Sequence, residues 1–66
     1  MDGQTFREIF HERDVAVYEV TFANGPPKVM LAHPAHGHRY WDIKLKDWVL
    51  NFARACVKIE EEEERN

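Results

Sequence analysis

The sequence predicts a small α+β domain with the order α-β-β-β-α: a short N-terminal helix, a three-stranded antiparallel meander and a long C-terminal amphipathic helix. Two observations predict this order. From Tyr40 to Ile59, apolar residues recur at steps of three and four, as on one side of a helix. From Val15 to Ala23, β-branched and aromatic residues are frequent and alternate, as in a strand. A helix of this kind is unstable alone in water, so we expect it to pack on the sheet.

The N-terminal helix is predicted over residues 6–12. Thr5 and Glu8 have the spacing of a capping box, in which each side chain bonds a backbone N–H near the other residue. Phe6, Ile9 and Phe10 follow at helical spacing and are expected to face the core. Because the helix is short, it would need to dock on the rest of the domain.

Three strands are expected between the two helices. The first spans Val15 to Ala23 and is followed by the turn Asn24-Gly25-Pro26-Pro27, since glycine tolerates positive φ and proline fixes φ. The second strand spans Lys28 to His33 and is ended by Pro34. The third is predicted over residues 39–44.

The C-terminal helix is predicted to begin near Lys44 to Lys46, with Asp42 as a candidate cap. Its aromatic residue Trp48 is expected to pack against Trp41 in the core. The full set of residues on the predicted core-facing side is Leu45, Trp48, Val49, Phe52, Ala55, Cys56 and Ile59.

The formal net charge of −3 is concentrated at the C-terminus. Residues 1–59 hold eight Lys/Arg and seven Asp/Glu, a net charge of +1, whereas residues 60–66 hold five Glu and one Arg, a net charge of −4. Consecutive glutamates repel one another and lie at the unfavourable end of the helix dipole. The sequence therefore predicts one α+β domain over 1–59 and a frayed acidic tail over 60–66.

Size and composition limit the function classes. A chain of 66 residues is near the lower limit for folding without a disulfide, a metal or oligomerisation. The lone Cys56 excludes an internal disulfide, and its position on the apolar side of a helix is typical of an inert thiol. No secretory signal and no apolar run of about 20 residues is visible, so we expect a cytoplasmic protein without membrane contact.

Partner binding is predicted on the sheet face that the helices leave open, because exposed apolar patches often mark interaction sites. Tyr40 and the neighbouring Arg39 are candidate anchors, since Tyr and Arg are enriched at binding hot spots. The acidic tail would dock on a basic groove of the partner. The predicted partner-binding residues are Val15, Val17, Arg39, Tyr40, Glu60, Glu61, Glu62, Glu63 and Glu64.

Two alternative functions stay open. His33, His36 and His38 lie within six residues and would offer three imidazoles to a metal, although their spacing matches no standard zinc motif. A weak RNA- or DNA-binding domain would use Arg39, Lys44, Lys46 and Arg54 with Tyr40 as a stacking surface, but the near-neutral body does not favour it.

The sequence favours a small non-enzymatic protein-interaction module. It shows no paired carboxylates in a pocket, no glycine-rich phosphate loop and no serine-centred nucleophile elbow. We therefore expect no catalysis and no cofactor. The predicted role is that of a regulator or phage-type inhibitor that occludes a site on a larger, nucleic-acid-handling protein, or that of a homodimer. The partner would be another protein or a second copy of this chain.

Overall fold

A four-stranded antiparallel sheet with one helix on it forms the fold. The computed structural model describes residues 3–65. Its elements are β1 (Gln4–Glu12), β2 (Val15–Phe22), β3 (Lys28–His33), β4 (Gly37–Asp42), a 3-10 turn (Ile43–Leu45) and α1 (Lys46–Glu64). The strands lie side by side in chain order, β1-β2-β3-β4, and α1 packs on β2 and β3. The α+β class is confirmed, but residues 3–65 form four strands and one α-helix where the sequence predicts three and two.

The segment predicted as the N-terminal helix is the edge strand β1. It pairs with β2 along its whole length, and the register shifts at a bulge between Glu8 and Phe10. The bulge lets the consecutive residues Ile9 and Phe10 both pack partly against the core. This hides the two-residue alternation of a strand and imitates helical spacing. The predicted capping box at Thr5 and Glu8 is wrong, because the long pairing with β2 stabilises an extended conformation that a short helix cannot match.

The turns between the strands agree with the prediction better than the bounds of the strands do. Gly25 lies between β2 and β3 with a φ of 128°, as a glycine turn requires. β3 has its predicted bounds, but β4 begins and ends earlier than the predicted third strand. It ends at Asp42 because the carboxylate of that residue accepts a hydrogen bond from the backbone N–H of Lys44, 2.9 Å away, and caps the 3-10 turn.

The core lies between α1 and one face of the sheet. The helix contributes only small buried side chains to it, namely Val49, Ala53 and Val57. Small side chains let a helix approach a sheet closely and fill the layer between them without voids. The buried core cluster consists of Val15, Val17, Val29, Leu31, Val49, Ala53 and Val57.

The apolar side of α1 is wider than the part that the sheet covers. Of the predicted core-facing residues, Val49 is buried and Cys56 is half-buried, whereas Trp48 and Ile59 are 54% and 55% exposed. Leu50, Ala53 and Val57 extend the apolar arc in the opposite direction, so apolar residues occupy more than half of the helix circumference. The sheet contacts the small-residue half of this arc, which leaves the larger residues at the surface.

The acidic residues 60–64, predicted to fray, form the last turns of α1. Arg13 in the β1–β2 turn forms ion pairs with Glu60, at 3.4 Å, and with Glu64. His33 at the end of β3 lies 3.5 Å from the Glu60 carboxylate. These contacts attach the end of the helix to two turns of the sheet. Within residues 3–65, no helix combines the length and hydrophobicity needed to cross a bilayer.

Candidate partner-binding surfaces

The sheet face opposite α1, here called the open face, carries neighbouring apolar and aromatic side chains. Phe6 is paired with Val20, and Tyr18 is paired with Met30, which in turn pairs with Tyr40. Directly paired residues of antiparallel strands point to the same side of a sheet, so these five side chains form two adjacent rows. Nothing in residues 3–65 forms a second layer over them.

The aromatic rings of the open face shield its aliphatic side chains. Val20 is fully buried and Met30 is nearly so, although no helix covers them. Phe6 and Tyr18 meet edge to face with ring centroids 6.2 Å apart, and the Tyr18 hydroxyl donates a hydrogen bond to Glu8 at 3.4 Å. Phe6 and Tyr40 remain 47% and 46% exposed. The open face therefore presents aromatic surface to solvent.

Val15 and Val17, predicted as partner contacts, lie on the covered face. Both are 0% exposed beneath α1. The alternation of β2 is as predicted, because Val15 and Val17 share one face and Tyr18 and Val20 share the other. The assignment of the two faces is reversed, since both carry apolar residues and hydrophobicity alone does not distinguish them. These two valines are core residues that a partner does not reach in this structure.

The predicted anchors Arg39 and Tyr40 point to opposite sides of β4. Arg39 pairs with the core residue Leu31 and lies on the helix side, whereas Tyr40 pairs with Met30 on the open face. The two residues therefore belong to two different surfaces. β4 is an edge strand, and its two sides border two different surfaces. One is the open face, and the other is the surface beside α1.

The second exposed apolar surface, here called the helix stripe, runs along α1 on its β4 side. Trp48 stacks on Phe52 with ring centroids 5.8 Å apart and planes inclined by 5°. Trp48 also meets Trp41 of β4 edge to face, and Phe52 lies 6.4 Å from the ring of His36. All members of the helix stripe are solvent-exposed: Leu45, Trp48, Phe52, Ala55 and Ile59.

A groove separates the helix stripe from β4. Its volume is about 360 Å³, and it is lined by Leu31, His36, Arg39, Trp41, Trp48 and Phe52. A second depression of about 330 Å³ continues it past His36 toward Ile59 and Glu60. The surface is mainly apolar along its length and becomes acidic at the C-terminal end of α1. This pattern suits contact with another macromolecule.

The three histidines predicted as metal ligands do not converge. His33 lies on the helix side, where its Nδ1 accepts a hydrogen bond from the backbone N–H of Ala35 at 3.0 Å. Its ring lies 4.7 Å from that of His36. His38 pairs with Ala32 and therefore points to the open face. Among residues 3–65 no group of three His, Cys, Asp or Glu side chains could hold a metal ion, so the structure gives the predicted histidine site no support.

The thiol of Cys56 is poorly suited to act as a nucleophile. Burial raises its pKa above the ordinary value, and the nearby Glu60 carboxylate raises the pKa further. The thiolate is the reactive form of cysteine, so both effects reduce reactivity near neutral pH. Cys56 lines the second depression with His33 and His36, but the local charge opposes an activated thiol–imidazole pair.

The cations of the predicted nucleic-acid surface are dispersed. Lys46 forms an ion pair with Glu19 at 3.0 Å, and the Arg54 guanidinium lies 5.9 Å from the centre of the Phe10 ring. Arg39 and Tyr40 are on opposite sides of β4. These groups therefore do not form one basic surface with a stacking platform.

Sequence reasoning missed the exposure of Phe6 and of the five helix-stripe residues, which it placed in the core. The signal that identifies the helix-stripe residues is the width of the apolar arc on α1, because one layer of sheet cannot cover it. Phe6 gave no such signal, since its exposure depends on β1 being a strand. Comparison of the chain with protein-family models, with curated proteins and with solved structures found no significant match.

Proposed function

We propose that this chain is a small non-enzymatic protein-interaction module that binds a larger protein through the open face and regulates it by occluding the surface it covers. One observation carries the proposal: Phe6 and Tyr40 remain about half exposed on a sheet face without a covering layer. Exposed aromatic clusters are uncommon on surfaces that contact only water, and they are frequent at the centres of protein interfaces.

The charges around the open face favour a folded protein as the partner. Both signs occur at the rim: Glu8 and His11 on β1, and Lys28, His38 and Asp42 on β3 and β4. An apolar centre with a mixed polar rim is the usual anatomy of a protein–protein interface. A nucleic-acid partner would require a concentration of basic side chains that this rim does not have.

The chemistry of the two depressions beside α1 also supports a binding role over catalysis. Their linings combine aromatic and aliphatic side chains with His33, His36, Arg39, Glu60 and Glu63, and with Cys56, whose pKa is raised by burial. Apolar side chains beside polar and charged ones are the composition of a binding surface, and the raised pKa of the thiol opposes nucleophilic catalysis there. A small regulator or inhibitor is the form of interaction module that this geometry supports best.

Affinity capture from the native host with matched variants tests the proposal. The bait is the whole chain, and the test variants Phe6→Ser and Tyr40→Glu each remove one exposed ring of the open face. The control variant Ile59→Ser removes a similarly exposed apolar side chain on the far side of the sheet. Circular dichroism verifies that each bait is folded.

We expect the wild-type chain and Ile59→Ser to capture the same protein, and the two open-face variants to lose it. A captured protein whose yield is unchanged by Phe6→Ser and Tyr40→Glu would show that the open face is not the binding surface.

A further inference from the structure

The helix stripe has the spacing of a helix–helix seam. Leu45, Trp48, Phe52, Ala55 and Ile59 follow one another at steps of three, four, three and four. This 3.5-residue repeat brings side chains into line along one side of a helix and is the repeat by which two helices pack together. The residues that contact the sheet, Val49, Ala53 and Val57, form a separate line. α1 therefore has one apolar side that packs on the sheet and a second apolar side that is exposed to solvent.

We propose that the helix stripe is a self-association surface, along which α1 of a second copy of this chain packs in the antiparallel direction. The two-fold axis passes the helix pair at the level of residues 53 and 54. This inference uses a different surface from the open face, so it goes beyond the proposed function and does not depend on it.

The sizes of the side chains are complementary in this arrangement. Phe52 lies level with Ala55 of the second copy, and by symmetry Ala55 lies level with Phe52 of that copy. Trp48 lies level with Ile59 of the second copy. A large ring facing a small side chain fills the space between two helices without a void.

The charges along the helix stripe favour an antiparallel pair over a parallel one. Lys44 lies just before α1, and Glu63 lies in its last turn on the side of the helix stripe. Neither residue forms an ion pair within residues 3–65. In the antiparallel pair, Lys44 of each copy lies level with Glu63 of the other. A parallel pair would place the two acidic ends side by side, where they repel each other.

The helix dipole supports the same direction. A cation at the start of a helix and anions at its end both oppose the helix's own dipole. An antiparallel neighbour places its acidic, negative end beside the positive end of the first helix, so the unfavourable charges of each copy become favourable for the other. Arg13 already offsets part of the charge of Glu60 and Glu64 within one chain.

There is room on the helix side of the sheet for a second helix. Four strands at a spacing of about 4.8 Å are wider than one helix, whose diameter with side chains is about 10 Å. α1 packs on β2 and β3, which leaves the groove beside β4 open above Arg39 and Trp41. A second helix that packs on the helix stripe would lie beside this open groove.

Sedimentation equilibrium of the whole chain over a hundredfold range of concentration tests the proposal. The test variant Ala55→Glu places a charge in the centre of the seam, and its side chain is exposed in the single chain, so folding is not disturbed. The control variant Lys58→Gln changes the net charge by the same single unit on the water-facing side of α1. We expect a concentration-dependent dimer for the wild type and for Lys58→Gln, and a dimer at least tenfold weaker for Ala55→Glu.

A charge exchange tests the direction of the pair. Lys44→Glu should weaken the dimer, and the double variant Lys44→Glu with Glu63→Lys should restore it. A chain that stays monomeric at every concentration would overturn the proposal. So would a dimer that Ala55→Glu leaves intact, one that Tyr40→Glu abolishes instead, or one that Lys44→Glu does not weaken. None of these outcomes affects the target-capture test of the open face.

Discussion

Trp41 of β4 and Trp48 of α1 meet edge to face, with ring centroids 6.0 Å apart and planes inclined by 64°. This contact joins the helix to the strand that it does not cover. The pairing of the two tryptophans was expected from the sequence, but their setting was not, since Trp48 is more than half exposed. The two rings therefore pack against each other at the surface of the molecule.

The two tryptophans should contribute unequally to stability. We expect Trp41→Ala to lower the free energy of unfolding by about 2 kcal/mol and Trp48→Ala by about 1 kcal/mol, because Trp41 is half-buried and a full burial loss would cost about 3–5 kcal/mol. A double-mutant cycle in urea should give a coupling of about 0.5–1.5 kcal/mol. Additive effects of the two substitutions would show that the ring contact contributes nothing.

Arg13 combines an unfavourable backbone with favourable ion pairs. Its φ of 54° is left-handed, a conformation that glycine adopts at lower cost. Arg13→Ala retains the strain and loses the pairs with Glu60 and Glu64, so we expect it to be less stable than the wild type by about 0.5–1 kcal/mol. Arg13→Gly should be more stable than Arg13→Ala by about 1 kcal/mol, because it relieves the strain.

Thermal unfolding at two salt concentrations examines the Arg13 variants. Salt should reduce the difference between the wild type and Arg13→Ala, since it screens exposed ion pairs, and should leave the difference between the Ala and Gly variants unchanged. If Arg13→Ala matched Arg13→Gly in stability, the left-handed conformation would not be a cost at this position.

Glu19 should make stability depend on pH in the acid range. Hydrogen bonds from Arg7, at 2.6 Å, and from Lys46, at 3.0 Å, hold the pKa of the Glu19 carboxyl below its ordinary value of 4.5. A carboxyl with a lowered pKa in the folded state stabilises the fold above the ordinary pKa. That contribution is lost as the pH falls through the lowered pKa.

The matching experiment is urea unfolding of the wild type and Glu19→Gln from pH 7 down into the acid range. At neutral pH we expect Glu19→Gln to be less stable by up to about 1 kcal/mol, since the network is at the surface. The gap should close below pH 4.5. Glu12→Gln on the same sheet serves as the control, and an equal response of both variants would rule out a specific role for the Glu19 network.

Cys56 should react slowly with thiol reagents. Its raised pKa keeps the thiol protonated near neutral pH, so its rate of alkylation should rise with pH and level off later than that of an ordinary cysteine. Lys58→Cys in a Cys56→Ala background supplies an exposed cysteine on the same helix for comparison. An alkylation rate for Cys56 equal to that of this control would contradict the expected protection.

Zinc should not stabilise the fold. Because His38 points away from His33 and His36, the three rings cannot share one ion, and a ligand that does not bind the native state cannot raise the melting temperature. We expect the melting temperature of the chain to be the same with a chelator and with added Zn²⁺. A rise that depends on zinc concentration and disappears in His33→Ala would restore the histidine site.

The chain's local chemistry predicted the turns and the C-terminal half of the fold well. Gly25, Pro34 and Asp42 restrict the backbone through their own geometry or hydrogen bonds, so the turn, the end of β3 and a cap at Asp42 could be derived residue by residue. The cap belongs to the 3-10 turn and not, as expected, to the long helix. β1 could not be derived in this way. Its bulge at Ile9 and Phe10 exists only because β2 lies beside it, and without that neighbour the spacing of its apolar residues indicates a helix.

The same distinction between local chemistry and tertiary structure applies to the candidate surfaces. By itself, the sequence determined that β2 has two apolar faces and that α1 has a broad apolar side, because alternation and helical spacing follow from covalent geometry. Only the tertiary structure decided that Val15 and Val17 are inside and that Trp48 faces water. Which face becomes buried depends on how closely the helix can approach the sheet, and the small residues Val49, Ala53 and Val57 permit the closest approach.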